Sequence, residues 1–295
     1  MGSLPTAYLF TRYFLGQDIR QMGDSNSGAA NVFRNVGAKA GIAVGAIDII
    51  KGGVVVVLAM VLVDDTYMEM MAGGAALAGH NFPVHLKFRG GRGAATAVGV
   101  LIASLPLIGL PIGVVLFLFG KRQLLEQPVA YAVLSFVVNV LRSVPFIILL
   151  IVMIPFTVML IGTSLGVAGA IPPLVAGGAP FFARLVETSL REVDRGIIEA
   201  TQAMGASVKQ IIFGALLPEA LPGIIAGITV TAITLVSYAA MSGVIGGGGL
   251  GDLAIRFGYQ RFQTDVMVIT VALLVIFVQV LQMVGDRLVL YFSRK

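Results

Sequence analysis

Long apolar runs separated by short polar stretches dominate the chain. They cover residues 42–63, 67–84, part of 94–119, 129–155, 167–186, 221–245 and 266–284. Most come near the ~20 residues a helix needs to cross a bilayer. A further stretch, 4–15, is short for a span and carries Arg12; it lacks a basic leader and a small-residue cleavage site, so it does not read as a signal peptide. The pattern predicts an all-α fold, a polytopic bundle of membrane helices.

Composition agrees. Hydrophobic residues make up 57% and charged ones 12%, and the mean hydropathy is +0.95, outside the soluble globular range. The 37 glycines suit helices that approach closely in lipid. With no cysteine, disulfides and thiolate metal sites are excluded. The two histidines, His80 and His85, do not share a helical face and have no carboxylate at ligand spacing, so no metal site is predicted. The net charge of +5 is spread over loops and speaks to membrane orientation, not to nucleic acid. Gly246, Gly248 and Gly251 satisfy Gly-x-Gly-x-x-Gly, but an apolar helix precedes them where a dinucleotide site needs a β-strand. They read as an extracytoplasmic turn.

The most specific motif spans 199–218: Glu199-Ala200-Thr201, then Gly205, then Ala215-Leu216-Leu217-Pro218. A short amphipathic helix ends in a tight turn at Gly205, and Pro218 and Pro222 mark where the next span begins. This resembles the EAA loop of ABC-transporter permeases, the cytoplasmic element on which an ATPase pushes. From about residue 108 the likeness extends through Asn139-Val140-Leu141-Arg142-Ser143-Val144-Pro145, Ala179-Pro180-Phe181, Leu217-Pro218-Glu219-Ala220 and Tyr238-Ala239-Ala240-Met241-Ser242-Gly243. These residues resemble the permease of bacterial methionine-uptake ABC transporters. The resemblance implies a core of about five spans in the bacterial plasma (inner) membrane. It also implies a homodimer, a separate ABC ATPase subunit and a substrate-binding lipoprotein. Glu199, Ala200, Gly205, Leu217 and Pro218 would couple to the ATPase, while Tyr238, Met241 and Ser242 would line or gate the path. No Gly-x4-Gly-Lys-Ser/Thr loop occurs, so the chain carries no cofactor and the partner ATPase binds the ATP. Arg142 and Arg184 lie in or beside apolar segments. Glu187, three residues on, can pair with Arg184, and a gate role is the alternative.

The first hundred residues carry other motifs: Gly23-Asp24-Ser25-Asn26-Ser27-Gly28, Asn31-Val32-Phe33-Arg34, Asp48-Ile49-Ile50-Lys51, Gly79-His80-Asn81 and Gly90-Gly91-Arg92-Gly93. These resemble the membrane acyltransferase that moves an acyl group from acyl phosphate to glycerol 3-phosphate. The resemblance implies site roles for Asn26, Asn31, Arg34, Asp48, Lys51, His80 and Arg92. Glycine-rich turns would offer N–H groups to phosphate, and Arg34 and Arg92 would neutralise anions. Asp24, Ala30 and Arg92 stand where the family has Ser, Thr and Lys, and its last motif has no counterpart. An acyltransferase-like fragment, 1–104, followed by a permease domain, 105–295, is therefore expected, with the fragment catalytically silent. The join is frustrated. Arg89 and Arg92 on one side, and Lys121-Arg122 on the other, both call for the cytoplasm. One crossing between them contradicts one half, and a re-entrant bend at Pro106 and Pro111 is the alternative.

Overall fold

The computed structural model describes residues 1–295 except Asp24, Asp64, Arg294 and Lys295. Asp24 and the basic 294–295 tail expected in the cytoplasm thus lie outside the described residues. No strand occurs among the described residues. The helices are α1 (Thr6–Leu15), α2 (Ala29–Asn35), α3 (Ala38–Leu62), α4 (Thr66–Asn81), α5 (Ala94–Phe119), α6 (Pro128–Ser143) and α7 (Phe146–Val152). They continue as α8 (Ile154–Ile161), α9 (Gly166–Arg191), α10 (Arg195–Ala203), α11 (Val208–Ile211), α12 (Leu217–Met241), α13 (Gly249–Leu253) and α14 (Thr264–Ser293).

Among the described residues, five segments are each long and apolar enough to cross a membrane: α3, α5, α9, the run Val208–Ile245 and α14. Two expected spans differ. The run 67–84 becomes α4, only 16 residues long, because Pro83 disfavours helical geometry before it and ends the helix. The run 129–155 is a bent pair of helices, a broken span or a re-entrant loop. It breaks between α6 and α7, which meet at 105°, and Val144, ahead of Pro145, takes an extended conformation with φ −77° and ψ 124°.

The expected alternative of a re-entrant bend at the join is also corrected. Residues Ala94–Phe119 form one helix of 26 residues with Pro106 and Pro111 inside it. At ~1.5 Å per residue such a helix exceeds the ~30 Å apolar core of a bilayer. Arg89 and Arg92 precede its start and Lys121 and Arg122 follow its end, so a crossing at α5 puts the two basic clusters on opposite sides.

Two compact units form. One comprises residues 1–104, 146–175 and 235–277; the other comprises 105–145, 176–234 and 278–295. In the first, Ala7, Ile19, Val32 and Val44 make a buried cluster. There α3 and α5 touch backbone to backbone. A Cβ on Gly52 would collide with the Thr96 carbonyl, and one on Gly99 with the Ile49 carbonyl. Only glycine permits that approach. The second unit packs Phe117, Phe182, Val186, Leu190, Ile211 and Leu216 into its core.

Candidate functional site

The 199–218 region is built from two capped helices in the second unit. Asp194 Oδ1 accepts from Gly196 N at 2.7 Å and caps α10. The helix starts at Arg195 and so extends further back than the Glu199 of the motif. At its other end Gly205 adopts φ +78°. Gly205 N donates to Gln202 O at 2.9 Å and Ala206 N to Thr201 O at 3.1 Å, closing a left-handed C-cap. No atom stands within 4 Å of where a Gly205 Cβ would sit, so the backbone angle alone selects glycine here. Ser207 and Gln210 form a reciprocal capping box for α11. Ile198 from α10 is buried with Ile211, Leu216 and Ala220, and Leu217 packs against that cluster. Glu199, Ala200 and Pro218 face outward. Glu199 pairs with Arg195 at 3.0 Å on that surface. The loop is therefore a rigid hook: one face is sunk in the core and the other is presented.

A polar cluster in the same unit joins α9 to α6. Glu187 is 1% exposed. It accepts from Arg191 Nη2 at 2.8 Å and from the Tyr131 hydroxyl at 3.1 Å, and it pairs with Arg184. Arg184 Nη2 in turn donates to Ser135 Oγ at 2.8 Å and Asn139 Oδ1 at 2.9 Å. The Arg184–Glu187 pair was expected from spacing; Tyr131, Ser135, Asn139 and Arg191 were not. Arg142 lies over the Phe181 ring, 5.5 Å from its centroid.

In the first unit, Tyr238 stacks on Phe146 with centroids 4.4 Å apart and rings 5° from parallel. Met241 lies near the end of the apolar run 221–245. It is the last residue of α12 and is 45% exposed. The helix stops there because the chain turns into a 3-10 segment, Ser242–Ile245, and then Gly246, Gly248 and Gly249 take positive φ. Ser242 is buried, and its Oγ donates to Ala239 O at 2.7 Å. The glycine triad thus follows helix, not strand, which removes the dinucleotide geometry.

The N-terminal motif residues divide into a buried group and an exposed group. Asp48 and Lys51, three apart on α3, pair at 2.7 Å. Lys51 Nζ also donates to Leu4 O at 3.0 Å and contacts Thr6 Oγ1 at 3.4 Å. His80 Nδ1 stands 3.7 Å from Asp48 and 3.1 Å from Thr96 Oγ1. Asn31 Nδ2 reaches the carbonyls of Ile19, Met22 and Asn26 at 3.1, 3.0 and 2.8 Å. These side chains bond to the protein itself and fasten α1, α3, α4 and α5 together. Arg34 and Arg92 are exposed, outside the buried group; Arg34 lies 5.4 Å from the Phe257 ring centroid. Nearby, Asp18 accepts from Arg20 Nη2 at 2.7 Å, and this bond holds its carboxyl below the ordinary range. Among the described residues no group of three or more His, Asp or Glu is placed to hold a metal ion.

Comparison with known proteins gives two family matches that overlap across residues 109–164. Residues 109–295 match the family of binding-protein-dependent transport system inner membrane components, and residues 1–164 match the glycerol-3-phosphate acyltransferase family. The probable D-methionine transport system permease protein MetI of Vibrio cholerae is 50% identical over 62% of this chain and 81% of its own length. The methionine import system permease protein MetP of Bacillus subtilis is 49% identical over 58% and 77%. A chain of the MetNI methionine ABC transporter, solved in an inward-facing conformation, superposes with a TM-score of 0.65 at 47% identity, covering 67% of this chain and 91% of that one. This chain therefore belongs to the family of binding-protein-dependent transport system inner membrane components and, through its N-terminal half, to the glycerol-3-phosphate acyltransferase family.

Proposed function

We propose that the chain is the permease subunit of an ABC importer for methionine or a similar amino acid, in the plasma membrane of a bacterium. It works as a homodimer with a separate ATPase and a substrate-binding lipoprotein. The observation that carries this reading is the hook at residues 194–211: helix α10 is capped at both ends and presents Glu199 and Ala200 while Ile198 anchors it in the core. The identity of about half to methionine permeases supports the substrate class.

The mechanism follows from rigidity. ATP binding and hydrolysis in the partner move its surface. A force on α10 passes through Ile198 to Ile211, Leu216 and Ala220, at the start of α12. Well-packed interiors transmit displacement instead of absorbing it. The chain of α12 then leads to Tyr238, Met241 and Ser242, which we assign to the translocation path. The division into an acyltransferase-like segment, 1–104, and a permease domain, 105–295, belongs to the same proposal.

The match of residues 1–164 favours a second reading, acyl transfer to glycerol 3-phosphate. Against it, Asp48, Lys51 and His80 are engaged with the protein and with one another, and Arg34 and Arg92 are outside their cluster. Transfer requires donors converging on the reacting centre. We assign the segment a structural role. Co-purification with a methionine-transporter ATPase tests the main reading: a stable complex is expected, and its absence with a correctly folded chain contradicts it.

A further inference from the structure

Helix α6 is held in the second unit mainly by polar bonds. Val138 is the one residue of α6 buried among the described residues, while Val133, Phe136, Val137 and Val140 are exposed. Residues 131, 135 and 139 recur at one helical turn, and each is bonded to α9. The Tyr131 hydroxyl donates to Glu187 at 3.1 Å, and Ser135 Oγ and Asn139 Oδ1 accept from Arg184 Nη2 at 2.8 and 2.9 Å.

The two partners on α9 differ in one respect. Glu187 is satisfied, because Tyr131, Arg184 and Arg191 share its two oxygens. Arg184 is not. Its Nη1 bonds Glu187 and its Nη2 bonds α6, but its Nε is buried without a partner. A guanidinium suits a carboxylate in bidentate fashion, so turning the fork onto Glu187 would satisfy Nε and release Ser135 and Asn139. Two arrangements of one side chain thus compete, each lacking bonds that the other makes. A fully satisfied network would fix α6 in place; this one makes a two-state element.

Helix α6 leads into the bend. It meets α7 at 105°, and Phe146, the first residue of α7, stacks on Tyr238 with centroids 4.4 Å apart. We propose that Ser135 and Asn139 are positioning residues for transport. Arg184 holds them while the α6–α9 seam is closed and releases them as it opens, and the bend at Pro145 passes that movement through Phe146 to Tyr238. The proposal rests on the permease reading and adds a second route to the path beside the one from α10 through α12.

The reporter is Val138→Cys, a buried thiol on the seam face of a chain that has no cysteine; Leu134→Cys, one turn away, replaces it if that variant does not fold. The purified full chain is treated with N-ethylmaleimide. Asn139→Asp sets a carboxylate against Arg184 and should slow labelling. Asn139→Leu removes the acceptor and should speed it, with Ser135→Ala read in its place if it does not fold. Each change is expected to be at least roughly five-fold, about 1 kcal/mol. Equal rates with and without these substitutions overturn the seam, whatever the protein transports. In vesicles with a methionine-transporter ATPase and its lipoprotein, Asn139→Asp should slow methionine uptake at least roughly five-fold, while Asn139→Leu should hydrolyse ATP without matching uptake. Native uptake in Asn139→Asp, or uptake and hydrolysis falling in proportion in both variants, overturns the positioning role. No uptake with the native chain contradicts the permease reading instead, and the labelling rates still decide the seam.

Discussion

Glu187 on α9 accepts a hydrogen bond from the Tyr131 hydroxyl on α6 at 3.1 Å, while Arg184 and Arg191 hold the rest of its carboxylate. The carboxylate is buried, so its worth lies in being fully partnered. Charges taken out of water repay their desolvation only when geometry and extra hydrogen bonds are good. Removing Glu187 leaves the guanidinium of Arg184, which is largely buried, without its counter-ion.

Glu187→Ala should therefore lower stability by ~3–5 kcal/mol, whereas Tyr131→Phe should cost about 1 kcal/mol. Thermal unfolding of the purified chain in detergent measures both. Equal effects from the two variants would mean that the carboxylate is not the centre of the cluster.

Gly99 should tolerate no side chain. Its Cβ would run into the Ile49 carbonyl on α3, and backbone cannot move aside as a flexible side chain can. Gly99→Ala is expected to cost ~1–3 kcal/mol through separation of α3 from α5. Gly74, beside which no atom lies within 4 Å, is the control. Gly74→Ala should leave the unfolding temperature unchanged or raise it, since alanine favours the helix. A harmless Gly99→Ala would contradict the α3–α5 contact.

The orientation of α5 is open to direct measurement. The permease half brings several basic loops and the later spans, so Lys121 and Arg122 are expected in the cytoplasm and Arg92 on the far side. The native chain has no cysteine, which makes single-site labelling clean. In intact cells Gly120→Cys should resist a membrane-impermeant thiol reagent, and Arg89→Cys should react with it. The reverse pattern would turn the α10 hook away from any cytoplasmic ATPase.

The purified chain should form no lysophosphatidate from acyl phosphate and glycerol 3-phosphate. Product above the background of an Asp48→Asn control would restore the acyltransferase reading.

Local signals carried much of this architecture. The runs at 42–63, 167–186, 221–245 and 266–284 fall on long helices because an uninterrupted apolar segment has few alternatives in lipid. The Arg184–Glu187 pair was legible because residues three apart are neighbours on a helix surface. Ser207 and Gln210 carry a capping-box signature, and Asp194 caps the preceding helix. Pro145 lay in plain view inside the run 129–155, but hydropathy averages over a proline and so hid the bend. Tyr131, Ser135 and Asn139 meet Arg184 and Glu187 only through tertiary packing. No local pattern could have announced them.

The coupling claim rests on Gly205. At φ +78° a β-branched residue is strained by roughly 1–2 kcal/mol, yet nothing nearby clashes, so Gly205→Val should disturb the hook more than the fold. The decisive measurement is ATP-driven methionine uptake by vesicles holding this chain, a methionine-transporter ATPase and its substrate-binding lipoprotein. We predict uptake with the native chain, and in Gly205→Val continued ATP hydrolysis with uptake reduced at least roughly ten-fold, a loss of about 1.4 kcal/mol or more in coupling. Native-level uptake in that variant, or none with the native chain in an assembled complex, would contradict the account.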